Sequence, residues 1–221
     1  MESGSLPYWM AFAHARSFTN VRKMEFLIEA VFNAGTDLRT VMDSARSNAG
    51  TTFSFNEKEK SGWLDALQEI PNYSFLAEEL ANTNIRVISV MEPDYPAQLK
   101  RKLGKNAPIL LYCKGNPDLL HKKSIAIASS KKGGQDALDS ALANQGQSII
   151  VLQQGILTYR SNTYYQHIIK GDVLVISPYH PKAPWEAGAA LERNKIIDGL
   201  ATDINVAEDR KPEVPKTGLL F

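Results

Sequence analysis

Residues 124–152, SIAIASSKKGGQDALDSALANQGQSIIVL, decide the fold class. Ser124–Ala128 is short, apolar and rich in isoleucine, which predicts a strand. Gln135–Ala143 sets Ala137, Leu138, Ala141 and Leu142 on one face, the spacing of a helix packed on one side. Ser148–Leu152 is a second short apolar strand. A strand, a helix and another strand with no polar alternation make a βαβ unit, whose strands lie parallel and are covered on both faces.

The alternation continues outward. Downstream, the pattern predicts a helix over Asn162–Ile169, a strand over Asp172–Ile176, a helix over Pro184–Leu200 and a last strand over Asp203–Ala207. Upstream, Arg86–Val90 reads as a strand. A helical stretch then runs from Asp94-Tyr95-Pro96 to Leu103, and Pro108–Cys113 reads as another strand, stopped by Gly115-Asn116-Pro117. From Leu6 to about Asn84 the pattern is of short helices instead. Phe26, Leu27, Ala30 and Val31 recur at helical spacing, as do Leu38, Val41, Met42 and Ala45. Asn33-Ala34-Gly35 and Asn48-Ala49-Gly50 read as helix stops. Asn56–Leu67 reads as a further helix, ended before Pro71, and Ser74–Ala81 as another. The expected fold class is therefore α/β: a Rossmann-like parallel sheet with flanking helices, preceded by a small all-helical domain. The boundaries fall at residues 1–84, 85–207 and a charged, proline-containing tail, 208–221.

Composition narrows the function. The 221 residues are 43% hydrophobic and 22% charged, with a formal net charge of +1, so a polyanion partner would need a local basic patch rather than a global field. One cysteine, Cys113, excludes a disulfide framework and suits a reducing cytoplasm. No signal peptide is legible at the start. No apolar run reaches the roughly 20 residues of a membrane helix, so a soluble, cytoplasmic protein is expected.

In an open parallel sheet, ligands bind beyond the carboxyl ends of the strands. Three polar loops are expected there. Ser129, Ser130, Lys131, Lys132 and Gly133 form the first, where small residues and a helix N-terminus suit a phosphate; the bland reading is a solvated Lys-Gly turn. The second runs from Gln153-Gln154-Gly155 to Arg160, with Ser161 or Asn162 as the helix cap. Arg160 stands near that helix start, and Tyr164 and Tyr165 either stack on bases or simply pack the helix. The third, Ser177–Trp185, is stiffened by three prolines. Pro184 suits a first helical turn. Ala187, Ala190, Leu191, Ile197 and Ala201 are then the buried stripe of the helix that follows. Asn194 falls on the same stripe and is expected to bond nearby backbone, with Arg193 and Lys195 on its flanks reaching the ligand edge; an ordinary charged flank fits the same spacing.

Other chemistry finds no support. The four histidines have no metal-ligand spacing, no nucleophile elbow occurs, and Cys113 sits inside an expected strand. Neither the spacing of a P-loop nor that of a dinucleotide fingerprint is present. No catalytic residue, metal or cofactor is expected.

Several blocks resemble the DprA/Smf family of DNA-processing recombination mediators. They are Asp94-Tyr95-Pro96, Pro108-Ile109-Leu110-Leu111-Tyr112 with Lys114-Gly115-Asn116, Ile125–Lys131, Ser148–Leu152, Ser177–Pro184 and Arg193-Asn194-Lys195-Ile196-Ile197. They occur in the family's order and span residues 82–207. The resemblance implies an extended Rossmann fold, single-stranded DNA binding, delivery of that DNA to a RecA-type recombinase, and a homodimer. By motif match, Ser129, Ser130 and Lys131 would hold a backbone phosphate, with Arg193 and Lys195 lining the same pocket. Three departures stand out. The family's glycine and arginine in the phosphate block are Ser129 and Lys131 here, which exchanges a bidentate fork for a point charge. A helix and strand that the family carries between this block and Ser148 are missing. After Ala207 the family's further helix and strand are replaced by the charged tail. Two rivals use the same loops or none: a sensor or processing enzyme for a small nucleotide, and a degenerate member that scaffolds a partner.

Overall fold

The computed structural model describes residues 4–46, 53–128, 131–160 and 163–206. They form two compact units, one of residues 1–84 with Ile88–Glu92 and Lys105–Leu110, the other of Ile85–Val87, Pro93–Gly104 and the chain from Leu111 onward.

The first unit is helical. Helix α1 spans Leu6–Ala13 and buries Trp9, Met10, Ala11 and Phe12. Helix α2, Asn20–Phe26, starts where Thr19 Oγ1 accepts the Arg22 N–H, and it runs on as a wider π-helical turn over Leu27–Phe32. The stop expected at Asn33-Ala34-Gly35 is present. Gly35 takes φ +62°, Thr36 N–H donates to Val31 O and Gly35 N–H to Phe32 O, satisfying carbonyls the helix leaves open. Helix α3, Leu38–Arg46, follows Asp37, whose carboxylate accepts from Thr40 N–H at 3.0 Å. The second stop, Asn48-Ala49-Gly50, lies outside the described residues.

The two helices expected on either side of Pro71 are one, α4, spanning Glu57–Asn82. It opens with a capping box in which Asn56 and Glu59 each accept the other's backbone N–H. Proline inside a helix costs about 3 kcal/mol by removing a hydrogen bond and crowding the preceding turn. Tertiary packing overrides it here: Trp63, Ala66, Leu67 and Ile70 before the proline and Leu76 and Leu80 after it are all buried, and α1 lies along α4.

The core of this unit is aromatic. Phe26 is fully buried, with ring centroids at 5.0 Å to Trp63, 5.1 Å to Phe12, 5.2 Å to Phe53 and 5.7 Å to Phe55. Arg22 seals the edge of the cluster. Its Nε and Nη2 clasp both carboxylate oxygens of Glu59 at 2.8 and 3.2 Å, and its guanidinium lies 4.7 Å over the Phe53 ring. The Arg22 hydrogen bond holds the Glu59 carboxyl below its ordinary range.

The second unit is α/β, as expected. Strands β1 (Ile85–Ser89), β2 (Leu110–Lys114), β4 (Ser148–Val151) and β5 (Val173–Ser177) form a sheet in the order β1-β2-β5-β4, while β3 (Ile125–Ala128) and β6 (Asp203–Val206) pair as a separate two-stranded ribbon. Strands β4 and β5 pair in parallel, as do β3 and β6, whereas β3 and β4, expected to lie parallel as one βαβ unit, fall in different sheets. The sheet is not wholly parallel, however: β2 runs antiparallel to β5, with Tyr112 opposite Ser177. A parallel neighbour needs a crossover connection, and β2 precedes the repeating βαβ units, so no crossover helix fixes its direction against β5.

All five residues of β5 are buried, the signature of a strand covered on both faces. Helices α5 (Ala97–Leu103) and α8 (Ala190–Leu200) pack on each other, and Lys102 Nζ caps the end of α8 through Asp198 O and Ala201 O at 2.9 and 2.6 Å. Helix α6, Lys131–Ala143, packs on β3 and β4, and α7, Tyr165–Lys170, on β5. No described helix is long and apolar enough to cross a membrane.

Cys113, in β2, is buried, and burial pushes its thiol up to about 12. The thiolate is the reactive form, so the native protein at pH 8 should show no reaction with an aromatic disulfide reagent over minutes and one fast equivalent once denatured. Rapid labelling without denaturant would mean that β2 opens.

Candidate nucleic-acid interface

Strands β4 and β5 are parallel, so the chain leaves both at the same sheet edge. The two segments that follow, Leu152–Arg160 and Pro178–Trp185, are the second and third of the expected loops, and backbone hydrogen bonds join them. Gly155 N–H donates to Ala183 O at 2.9 Å and Leu157 N–H to Pro181 O at 3.0 Å. Ser177 Oγ donates to Gln154 O at 2.7 Å while accepting from Tyr179 N–H. Thr158 Oγ1 lies 2.8 Å from Gly155 O and 3.0 Å from Ala183 O, and accepts from Gln154 Nε2. Gly155 is required at the junction, because a Cβ there would sit 2.2 Å from Pro181 O and 2.4 Å from His180 O. The two loops form one ordered platform.

The expected site residues divide sharply on this frame. Ser129 and Ser130, and the cap candidates Ser161 and Asn162, lie outside the described residues. Lys131, Lys132 and Gly133 are not a loop: by backbone they are the first turn of α6, which starts four residues earlier than the pattern at Gln135 suggested. Two consecutive glycines lowered the apparent helicity by about 1 kcal/mol each, yet the packing of α6 on β3 and β4 carries the helix through them.

Arg160 is exposed at the end of the second loop. Arg193 is half-buried, and its Nε and Nη2 donate to Asn194 Oδ1 at 3.3 and 2.9 Å. Asn194 therefore holds a neighbouring side chain rather than the backbone expected. Burial lowers the Arg193 guanidinium from its ordinary value, partly offset by the nearby Tyr179. The Tyr179 hydroxyl donates to Ala189 O at 3.0 Å, and its own ionisation is pushed up to about 12, chiefly by burial. Lys195 faces the opposite way in charge terms, since its ammonium is 2.6 Å from Glu192 Oε1.

Helix α8 also begins later than Pro184. Ala187–Ala189 make a short 3-10 turn and Glu186 is extended at φ −130°, ψ 126°, because the loop before it is tied down at Ala183, whose carbonyl accepts from Gly155. Ala187 and Leu191, expected in the buried stripe, face solvent, Leu191 at 64% exposure; Ile197 and Ala201 are buried as expected, joined by Ile196, Gly199 and Leu200.

The aromatic residues were only partly legible. Tyr164 is buried and its hydroxyl donates to Asp139 Oδ1 of α6 at 2.9 Å, so it packs. Tyr165 is half exposed. Trp185, in the proline-rich loop, was missed as a stacking candidate and is 60% exposed. Its only sequence signal was its place between Pro184 and a charged helix.

Comparison with known proteins gives a consistent result. The family described as DNA recombination-mediator protein A matches in two pieces, residues 86–138 and 133–212, which overlap within α6. The DNA processing protein DprA of Streptococcus pneumoniae (strain ATCC BAA-255 / R6) is 30% identical over 151 residues, covering 54% of this chain and 53% of that protein, so the chain spans about half the length of this curated relative. The X-ray structure of DNA processing protein A from S. pneumoniae superposes with a TM-score of 0.66 at 21% identity, over 96% of this chain and 80% of the other, a likeness of fold. A structure of the Helicobacter pylori DNA processing protein A, titled for its single-stranded DNA binding mode, has a TM-score of 0.39 at 16% identity over 59% of this chain and 73% of its own, too low to carry an argument.

Proposed function

Because the chain belongs to the DNA recombination-mediator protein A family, we propose that its α/β unit binds single-stranded DNA and passes it to a RecA-type recombinase, as a homodimer in the cytoplasm and without catalysing a reaction. The observation that carries this reading is the pair of loops after β4 and β5, joined by backbone hydrogen bonds into a platform that carries Arg160 and the exposed Trp185, with Arg193 on helix α8 that follows. A rigid basic and aromatic surface suits a flexible polyanion, since the phosphates take the charges and the bases stack. In this reading Ser129, Ser130, Lys131, Lys132 and Gly133, at the start of α6, hold a backbone phosphate against the positive end of that helix, and Asn194 keeps Arg193 in place.

Fluorescence anisotropy with labelled oligo-dT tests the proposal. Saturable binding is expected, weakening steeply with salt. The double variant Arg160→Ala, Arg193→Ala should bind at least tenfold more weakly, with the slope of log affinity against log salt reduced by about 1.4, or roughly 0.7 per lost phosphate contact on a single strand. Lys195→Ala should change little, because Glu192 already neutralises it. Binding indifferent to the two arginines sinks the proposal, and stabilisation by mononucleotides but not by oligo-dT would assign the loops to a small-nucleotide ligand instead.

A further inference from the structure

The opposite end of the α/β unit holds a second feature, outside the loops assigned above. The four-stranded sheet ends at β4 and the two-stranded ribbon begins at β3; each is an edge strand with no further partner among the described residues. Helix α6 crosses from β3 to β4 and packs on both. Below it lies a cavity of about 430 Å³, lined by Ile125 of β3 with Ser124 just before it, by Ser148 and Ile149 of β4, and by Ala137 and Ala141 of α6 as its roof.

Three properties identify what this cavity suits. At its walls the Ser124 carbonyl and the Ser148 N–H are taken up by Thr202 and Asp172 within the fold, while the alternate residues of an edge strand, Ile125 and Ile149 here, turn their N–H and C=O outward. Its side chains are apolar and small on the roof, and Ile125, a β-branched strand residue, is left 48% exposed. Lys122 and Lys123 stand at its mouth. Lys122 is hydrogen-bonded only to a neutral amide, Gln147 Oε1 at 2.7 Å, and neither lysine has an acid partner among the described residues. The acid nearest in register, Asp203, lies across from Ile125 on β6, the strand on the paired side of β3, and does not line the cavity. A lipid or aromatic anion would satisfy the apolar roof and the lysines but leave the strand edges unpaired. An extended peptide satisfies all three.

We propose that the cleft between the edges of β3 and β4 is a docking site for an extended protein segment that adds as a β-strand, with β-branched residues under α6 and acidic residues beside Lys122 and Lys123. Each edge is four residues long, so the segment pairs over about 13 Å at roughly 3.3 Å per residue. Strand addition draws affinity from main-chain hydrogen bonds and selectivity from the flanking pockets and charges.

The test uses a fluorescein-labelled peptide of alternating valine and threonine ending in two glutamates, with a control ending in two lysines, both titrated into the full chain. Saturable binding of the acidic peptide is expected, at least tenfold tighter than of the basic one, with slowed amide exchange at Ile125 and Ile149. Lys122→Glu, Lys123→Glu should reverse the preference, and Ala141→Trp, which fills the cavity, should abolish binding while circular dichroism stays unchanged. Oligo-dT binding, measured in parallel, should be untouched by all three substitutions. No saturable binding of the acidic peptide, or equal binding of both peptides by parent and variants, overturns the proposal without bearing on the loops at the other edge.

Discussion

Gly155→Ala is expected to abolish oligo-dT binding at concentrations where the parent saturates, and to lower the thermal midpoint by several degrees. The added methyl would lie 2.2 Å from Pro181 O, 2.4 Å from His180 O and 2.4 Å from Pro181 C. These are backbone atoms of the facing loop, so no side chain can swing aside and the two loops must part. Parting breaks the Gly155 to Ala183 and Leu157 to Pro181 hydrogen bonds and disturbs the contacts of Thr158 and Ser177 with the same backbone. Each lost bond is worth about 1 kcal/mol net, and more where a buried group is left unpaired. A loss near 2–3 kcal/mol corresponds to roughly 4–12 °C for a chain of this size. Near-parental DNA binding by the variant would show that the joined loops are not the platform.

The largest stability effect is expected in the helical unit, for Phe26→Ala. Phe26 has no exposed surface, and four aromatic neighbours lie within 5.7 Å of its ring centroid. Its truncation removes the buried ring and leaves a cavity that surrounding rings cannot close, since Phe53 and Phe55 are also held against each other at 5.2 Å. Phe→Ala in a core costs about 3–5 kcal/mol, or roughly 6–20 °C in midpoint. Phe26→Leu, which keeps much of the volume, should recover more than half of the loss. Differential scanning calorimetry checks both. A Phe26→Ala shift under 3 °C would mean that the cluster contributes little.

Local patterns carried the α/β class because they are short-range. The apolar runs Ile125–Ala128 and Ser148–Val151 form the strands they predict, and the one-faced stretch between them the helix; Gly35 ends its helix where a left-handed residue is needed. The resemblance of the ordered blocks to the DprA/Smf family was likewise readable and holds. Readings that placed a break inside a packed helix failed. Pro71 and the glycines at 133 and 134 each penalise a helix by a few kcal/mol at most, and burial of a whole helix face outweighs that.

The candidate site was legible as a set of loops but not as a surface. Arg160, Arg193, Asn194 and Lys195 look alike in sequence, as charged or polar residues near strand ends. Their roles separate only when neighbours distant in sequence, or one turn away on a helix, are placed: Glu192 takes the charge of Lys195, Asn194 holds Arg193, and Trp185 is left in solvent. The same holds for residues 124–152. Their order of strand, helix and strand was fixed by apolar periodicity alone, which acts through nearest neighbours along the chain. That β3 and β4 end as two separate edges above a common cavity was decided only by tertiary pairing, because hydrogen bonds between strands join residues whose separation in sequence carries no signal of their distance in space.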